Sequence, residues 1–148
     1  MPTFENHIVD ISELESITLN LCKTLKVGNI LFLRGELGVG KTTFSRLLIK
    51  NLYLLANLPQ PKSINSPTYP KLLTYSLGAY DVYHYDFYRI KNIEELEYLD
   101  FFENIKSSIT LIEWPEILIN LPFKEKYYLI DLDLVSESKR SITIKYID

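Results

Sequence analysis

The sequence predicts an α/β fold, a mixed and mostly parallel sheet flanked by helices and closed by a C-terminal antiparallel hairpin. Three features point to it. A short apolar run, Asn29 to Arg34, leads into a cluster of glycines and then into a long amphipathic pattern, which is the order strand, loop, helix. This first run, almost wholly apolar, is what a strand buried on both faces of a parallel sheet looks like, and a second apolar run, Ile109 to Ile112, lies in the expected strand Ser108 to Trp114. Two alternating segments near the end flank a polar turn, the pattern of a hairpin.

In chain order, Ser12 and Glu15 form a capping box, and Ile11, Leu14, Ile17, Leu21 and Leu25 recur at helical spacing, which predicts a helix from Ser12 to Lys26 stopped by Gly28. Asn29 to Arg34 is the first expected strand, and Thr42 to Ala56 a long helix with Phe44, Leu47, Leu48, Leu52 and Leu55 on its apolar side. Asn57 to Pro70 holds four prolines among polar residues and reads as a long exposed loop. Strands are expected at Lys71 to Ser76 and Tyr80 to Tyr88, an acidic helix at Asn92 to Phe102, a strand at Ser108 to Trp114 and a short helix at Pro115 to Leu121. Tyr127 to Val135 and Ser141 to Ile147 close the sheet around the turn Ser136 to Arg140.

With 148 residues and 47% apolar composition the chain can build one core and not two, so residues 1–148 read as a single domain. The net charge of -3 gives no global basic field, which argues against strong direct nucleic-acid binding and leaves only a local patch for such contacts. Cys22 is the one cysteine; it excludes an internal disulfide, fits a reducing compartment and reads as an inert core residue. No charged-then-apolar leader opens the chain, and nothing approaches the ~18 apolar residues of a membrane span, so a cytoplasmic location is expected.

Four of the five glycines fall between Gly28 and Gly40. Gly35-Glu36-Leu37-Gly38-Val39-Gly40-Lys41-Thr42 matches G-x-x-x-x-G-K-[ST] between a predicted strand and a predicted helix, the context a P-loop NTPase fold requires. Glycines let successive N–H groups turn inward around phosphate oxygens at the positive end of the helix. Lys41 adds a charge beside the β and γ phosphates, and the Thr42 hydroxyl is suited to ligate Mg²⁺.

Such a loop works with a carboxylate at a neighbouring strand end. Asp86 and Glu113 are the two candidates, and Glu113 is favoured as the metal-side group because it follows the more strongly apolar run. Ser66-Pro67-Thr68 is compatible with a rigid turn and with a switch loop whose hydroxyl is ordered by γ-phosphate and Mg²⁺. His7 and His84 lack Cys or His neighbours at ligand spacing, so zinc is not expected and each reads as a surface or satisfied core histidine. No Asn/Thr-Lys-x-Asp sequence occurs, which makes ATP the expected nucleotide rather than GTP.

Taken in order, the P-loop with Thr43, Ser66-Pro67-Thr68-Tyr69, His84-Tyr85-Asp86-Phe87-Tyr88-Arg89, Glu94-Glu95-Leu96 and Glu113-Trp114-Pro115 resemble the bacterial TsaE (YjeE) family along nearly the whole chain. The resemblance implies a Mg²⁺-dependent ATPase, slow alone and stimulated by partners, needed for threonylcarbamoyl modification of adenosine 37 in ANN-decoding tRNAs. Its ATP cycle would reset the partner proteins TsaD and TsaB, with tRNA reached indirectly through that complex and no DNA or membrane partner.

By the same resemblance Gly38, Val39, Gly40, Lys41, Thr42 and Thr43 hold the phosphates, Thr42 and Glu113 hold Mg²⁺, Asp86 has an acidic role beside the metal, and Thr68 lies in a switch-like loop. Asp10 and Arg140 fall near positions close to the nucleotide. Trp114 matches a functionally sensitive position, for which core packing is the plain alternative. Glu36, Val39, Pro70, Lys71 and Asp100 depart from the family's usual residues; Pro70 bears on how the switch loop would move. A small-molecule kinase and a nucleotide-gated binding module are the competing functions.

Overall fold

The computed structural model describes residues 4–36 and 38–148; Leu37, inside the expected phosphate loop, lies outside the described residues. Among the described residues seven strands form one sheet: β1 (Phe4–Val9), β2 (Ile30–Arg34), β3 (Leu72–Ser76), β4 (Asp81–Asp86), β5 (Ser108–Glu113), β6 (Tyr127–Leu134) and β7 (Arg140–Ile147). Their order is β1-β7-β6-β2-β5-β4-β3. The expected sheet is mostly parallel; the parallel pairs are confined to the middle four strands, β6, β2, β5 and β4, and every outer pair is antiparallel.

The departure has a clear cause at each edge. On one side β6 and β7 form the expected hairpin, and β1, which the sequence does not announce, adds to β7. The strand reads Phe-Glu-Asn-His-Ile-Val, and its register shifts between Phe4 and His7, with Asn6 at φ 47°; a bulge of this kind erases the two-residue alternation that marks a strand. On the other side β3 and β4 turn back at Leu77 to Tyr80, where the Leu77 N–H donates to the Tyr80 carbonyl.

Helix α1 (Ile11–Cys22) begins one residue earlier than expected. Its N-cap is Asp10, not Ser12: the Asp10 carboxylate accepts from the Glu13 N–H at 2.8 Å, and the Glu13 side chain reaches back to the Asp10 N–H, so the capping box is Asp10–Glu13 rather than Ser12–Glu15. An aspartate in this position accepts charge-assisted bonds that a serine cannot match, and Ser12 itself donates to Asp10. The helix ends at Cys22 rather than Lys26, because the chain tightens there into Thr24 and Leu25 bonds to the carbonyls of Leu21 and Cys22.

Helix α2 (Lys41–Leu55) follows the glycine loop as expected. The expected acidic helix from Asn92 to Phe102 is two helices, α3 (Ile93–Tyr98) and α4 (Phe101–Ser107), because Asp100 adopts φ 52° and breaks the run. Helix α5 (Glu116–Ile119) is a single turn.

The strand alternation feeds two cores. Leu31 and Leu33 of β2 face α1 and α2, together with Phe44, Leu48 and Leu111. Ile30 and Phe32 face α3, α4 and α5, together with Tyr85, Phe101 and Leu118. Cys22 is buried, and burial pushes its thiol up to about 12, in line with an inert core thiol. Among the described residues no helix is long and apolar enough to cross a membrane.

The parallel strands β2, β4 and β5 end side by side, with Glu113 in register with Leu33 on one neighbour and with Asp86 on the other. Their carboxyl ends form the rim from which the glycine loop leaves.

Candidate functional site

The glycine loop owes its shape to backbone conformations that side chains resist. Gly35 has φ 152°, and a Cβ there would lie 2.5 Å from the Leu132 carbonyl oxygen and 2.7 Å from Val39 Cγ1. Gly38 and Gly40 have φ 76° and 111°, and Gly40 is the N-cap of α2 with no side chain across the helix start. Lys41 opens the helix. Its ammonium donates to the carbonyls of Gly35 and Glu36 and stands 4.0 Å from the centre of the Trp114 ring. Burial lowers its pKa, opposed by the charges of Glu113, Glu116, Asp86 and Glu36.

Two buried carboxylates complete the rim. The Thr42 hydroxyl donates to Glu113 Oε1 at 3.3 Å, and Glu113 Oε2 lies 2.6 Å from His84 Nε2. Asp86 accepts from the Tyr88 N–H at 2.9 Å and from the Thr68 hydroxyl at 3.2 Å, and Thr68 is 2.7 Å from the Ser66 hydroxyl. The proline-rich loop is pinned behind this contact, since Arg46 Nε donates to the carbonyl of buried Ile64 at 2.6 Å.

These side chains surround one cleft of about 240 Å³, lined by Gly38, Gly40, Lys41, Thr42, Thr43, Thr68, Asp86 and Glu113, with Tyr88 and Trp114 at its mouth. A smaller recess of about 80 Å³ lies on the other side of Gly40 and Thr43; Asp10, Val39 and Arg140 line it with Val9, Ile11 and Leu14. All the expected site residues therefore fall in two adjoining hollows that share Gly40 and Thr43. A wider groove of about 520 Å³ lies behind the glycine loop, lined by Glu5, Arg34, Asp131, Asp133 and Lys145; it is open and polar and holds none of the expected nucleotide set apart from Gly35.

Two of these residues have structural duties as well. Asp10 caps α1, and its pKa is lowered by the Glu13 N–H and the Ser12 hydroxyl. Arg140 does not lie in the turn but opens β7; its Nε donates to the Val39 carbonyl at 2.7 Å and its Nη1 to carbonyls of the hairpin tip, tying that tip to the glycine loop.

Trp114 is only partly buried and has φ 58°, so the plain core-packing alternative does not describe it; its ring meets Tyr88 at 4.8 Å and the Lys41 ammonium. His84 is neither a surface histidine nor a fully satisfied one, because it is wholly buried and its Nδ1 has no hydrogen-bond partner. Sequence reasoning also passed over Tyr88. For His84 the spacing shows only that it shares a face with Asp86, two residues along one strand; its contact across the sheet with Glu113 needs the strand register.

The ammonium, the threonine hydroxyl and two carboxylates thus gather at a helix start with no side-chain cap, an arrangement able to take an anionic group with a hard divalent cation. The family model described as threonylcarbamoyl adenosine biosynthesis protein TsaE matches residues 8–142. The tRNA threonylcarbamoyladenosine biosynthesis protein TsaE of Rickettsia bellii is 40% identical over 141 residues, covering 89% of this chain and 92% of its own. The protein of that name from Rickettsia felis is 36% identical over 135 residues, covering 89% of this chain and 74% of its own. A crystal structure of Bacillus subtilis YdiB, at 24% identity, shares the fold with a TM-score of 0.64 over 100% of this chain and 89% of that one. Both the glycine loop and the carboxylate rim lie inside the matched span, and the chain belongs to the TsaE family of tRNA threonylcarbamoyladenosine biosynthesis proteins.

Proposed function

We propose that residues 1–148 form one P-loop ATPase domain that works in the cytoplasm, hydrolysing MgATP to reset a TsaD–TsaB assembly during threonylcarbamoyl modification of adenosine 37 in ANN-decoding tRNAs. The convergence of Lys41, Thr42, Asp86 and Glu113 on one cleft at the carboxyl ends of β2, β4 and β5 is what supports it most.

The residues present fit the group. Thr42 and Glu113 are hard oxygen donors already in contact, as a Mg²⁺ site asks; Gly38 and Gly40 put no side chain in the loop before α2, and the Val39 N–H would exchange its bond to the Glu36 carbonyl for a phosphate oxygen. Bound Mg²⁺ would supply charge neutralisation on the β and γ phosphate oxygens. Gly38 to Thr43 would hold the phosphates, with Lys41 exchanging its bonds to the Gly35 and Glu36 carbonyls for phosphate oxygens. Asp86 takes the acidic role beside the cation, and Thr68, resting on it, is the hydroxyl a switch-type loop would deliver. The recess with Asp10, Val39 and Arg140 offers apolar walls to the nucleoside end.

All four arginines are engaged elsewhere: Arg34 with Asp131, Arg46 with Ile64, Arg89 over the Tyr69 ring, and Arg140 with Val39. None of the four lines the cleft, where Lys41 is the cation present, and this supports a partner as the source of the arginine charge that speeds phosphoryl transfer in many P-loop enzymes. Slow hydrolysis alone and faster hydrolysis with TsaD and TsaB follow. Reconstituted tRNA modification, run over many turnovers with and without this chain, tests the whole scheme. Undiminished modification without it, or equal ATPase rates with and without the pair, would sink the proposal.

A further inference from the structure

His84 stands out from its surroundings. It lies in the middle of β4, in register with Leu73 on one side and Leu111 on the other, and its side chain shares a face with Val82 and Asp86. Its solvent exposure is 0%. An apolar residue would fill this place without leaving a polar atom stranded, yet among the described residues His84 Nδ1 has no hydrogen-bond partner. The contact that accounts for an imidazole here is the one from Nε2 to Glu113 Oε2, at 2.6 Å.

We infer that His84 is a positioning residue: it locks one oxygen of Glu113 so that the other, Oε1, is the single oxygen offered beside Thr42 to a small divalent cation. This rests on the MgATP reading of the cleft. The proton inventory fixes the geometry. A neutral imidazole has one N–H. On Nε2 it donates to the carboxylate. On Nδ1 it would be a buried donor with no acceptor, and Nε2 and Oε2 would face each other as two lone pairs at 2.6 Å. For a neutral imidazole facing a carboxylate, the contact thus places the proton on Nε2.

With Oε2 held by His84 and Oε1 accepting from Thr42 at 3.3 Å, the carboxylate is oriented with Oε1 on the Thr42 side. One-oxygen ligation suits the tight octahedron of Mg²⁺, whereas two-oxygen ligation suits the larger, looser shell of Ca²⁺. His84 thus acts through Glu113 on cation affinity and on the choice between these ions, without touching either ion or nucleotide.

The test compares His84→Leu, His84→Gln and His84→Asn in the full chain. Glutamine can put an amide N–H near the Nε2 position; asparagine reaches only the Nδ1 position. The readouts are the Mg²⁺ and Ca²⁺ concentrations that half-saturate metal-dependent ATP binding, ATP affinity without metal, and the imidazole ¹⁵N spectrum of the nucleotide-free protein, which has only two histidines to assign. His84→Leu and His84→Asn are expected to raise the Mg²⁺ requirement by about 10–100-fold, with Ca²⁺ and metal-free ATP binding changed less than about twofold. His84→Gln should restore most of the loss, and the spectrum should show the proton on Nε2.

An unchanged Mg²⁺ requirement in His84→Leu, equal losses in the glutamine and asparagine variants, or a proton on Nδ1 would overturn the inference. Should His84→Leu fail to fold, the glutamine–asparagine contrast and the wild-type spectrum still decide. Wild-type protein that binds no MgATP would overturn the site reading as well; wild-type binding with unaffected variants overturns the role of His84 alone.

Discussion

Glu113 is buried, paired through both oxygens, and stands between Thr42 and His84. Replacing it with glutamine keeps the shape and removes the charge. Glu113→Gln is therefore expected to cut Mg²⁺-supported ATP hydrolysis by ~100-fold or more, as the loss of several kcal/mol of charge stabilisation implies, while ATP is still retained. Single-turnover hydrolysis beside equilibrium ATP binding would check this; unaltered hydrolysis would make the carboxylate a spectator. Cys22 supplies a pH prediction of a different kind. Its thiol moves from an ordinary 9.0 to about 12 through burial, and Tyr85 moves from 10.0 to about 12 for the same reason, with its Asn104 hydrogen bond opposing. Both keep their protons longer in the folded chain than in the unfolded one, so their contribution is complete below the unfolded values and is lost as pH climbs toward the folded ones. Urea unfolding at about pH 8 and about pH 11 should show falling stability, and Cys22→Ala should flatten the fall. At this scale the glycine loop, Asp86 and Glu113 were readable because glycine and strand-end carboxylates are rare enough in such places to carry meaning. His84 was not, since a lone histidine in a strand says nothing about what lies across the sheet until the register of β4 against β5 is known.

Among the elements, the strand–loop–helix unit from β2 to α2 is the one the sequence resolves best, because a continuous apolar run, a glycine cluster and a helical stripe all agree. Its tightest point is Gly35. Gly35→Ala would drive a Cβ into the Leu132 carbonyl at 2.5 Å, backbone against backbone, in a conformation that side chains avoid. A destabilisation of about 1–3 kcal/mol together with loss of ATP affinity is expected, measured by denaturant unfolding and nucleotide titration. Gly78→Ala, where φ is +83° but nothing lies within 4 Å, should cost less and leave ATP affinity intact. Equal effects of the two would mean that the close approach at Gly35 is irrelevant. The start of α1 and the split between α3 and α4 were less legible. Asp10 and Ser12 are both good caps by type, and only the position of the first turn decides between them. Asp100 breaks its helix by taking a left-handed conformation that aspartate tolerates but does not advertise.

For the molecule as a whole, composition and element order gave the α/β class and the hairpin, while the antiparallel edges depended on β1, whose bulge hides it, and on β3 turning back beside β4. The resulting sheet has two unlike rims. At the carboxyl ends of the parallel strands lie Gly35, Asp86, Glu113 and the hairpin tip tied to the glycine loop by Arg140. At the opposite rim lie the turn from Leu77 to Tyr80 and the approach to β6 near Lys124 and Lys126. The candidate site residues lie on one rim and none lies on the other. For an engineer this makes the turn at Gly78 and Ala79 a port: a short glycine–serine insertion there, carrying a tag or a small reporter, should leave ATP affinity unchanged, whereas the same insertion in the hairpin tip should weaken it by loosening Arg140 from Val39. Lineages of this chain would be free to lengthen on the first side while holding constant length on the second.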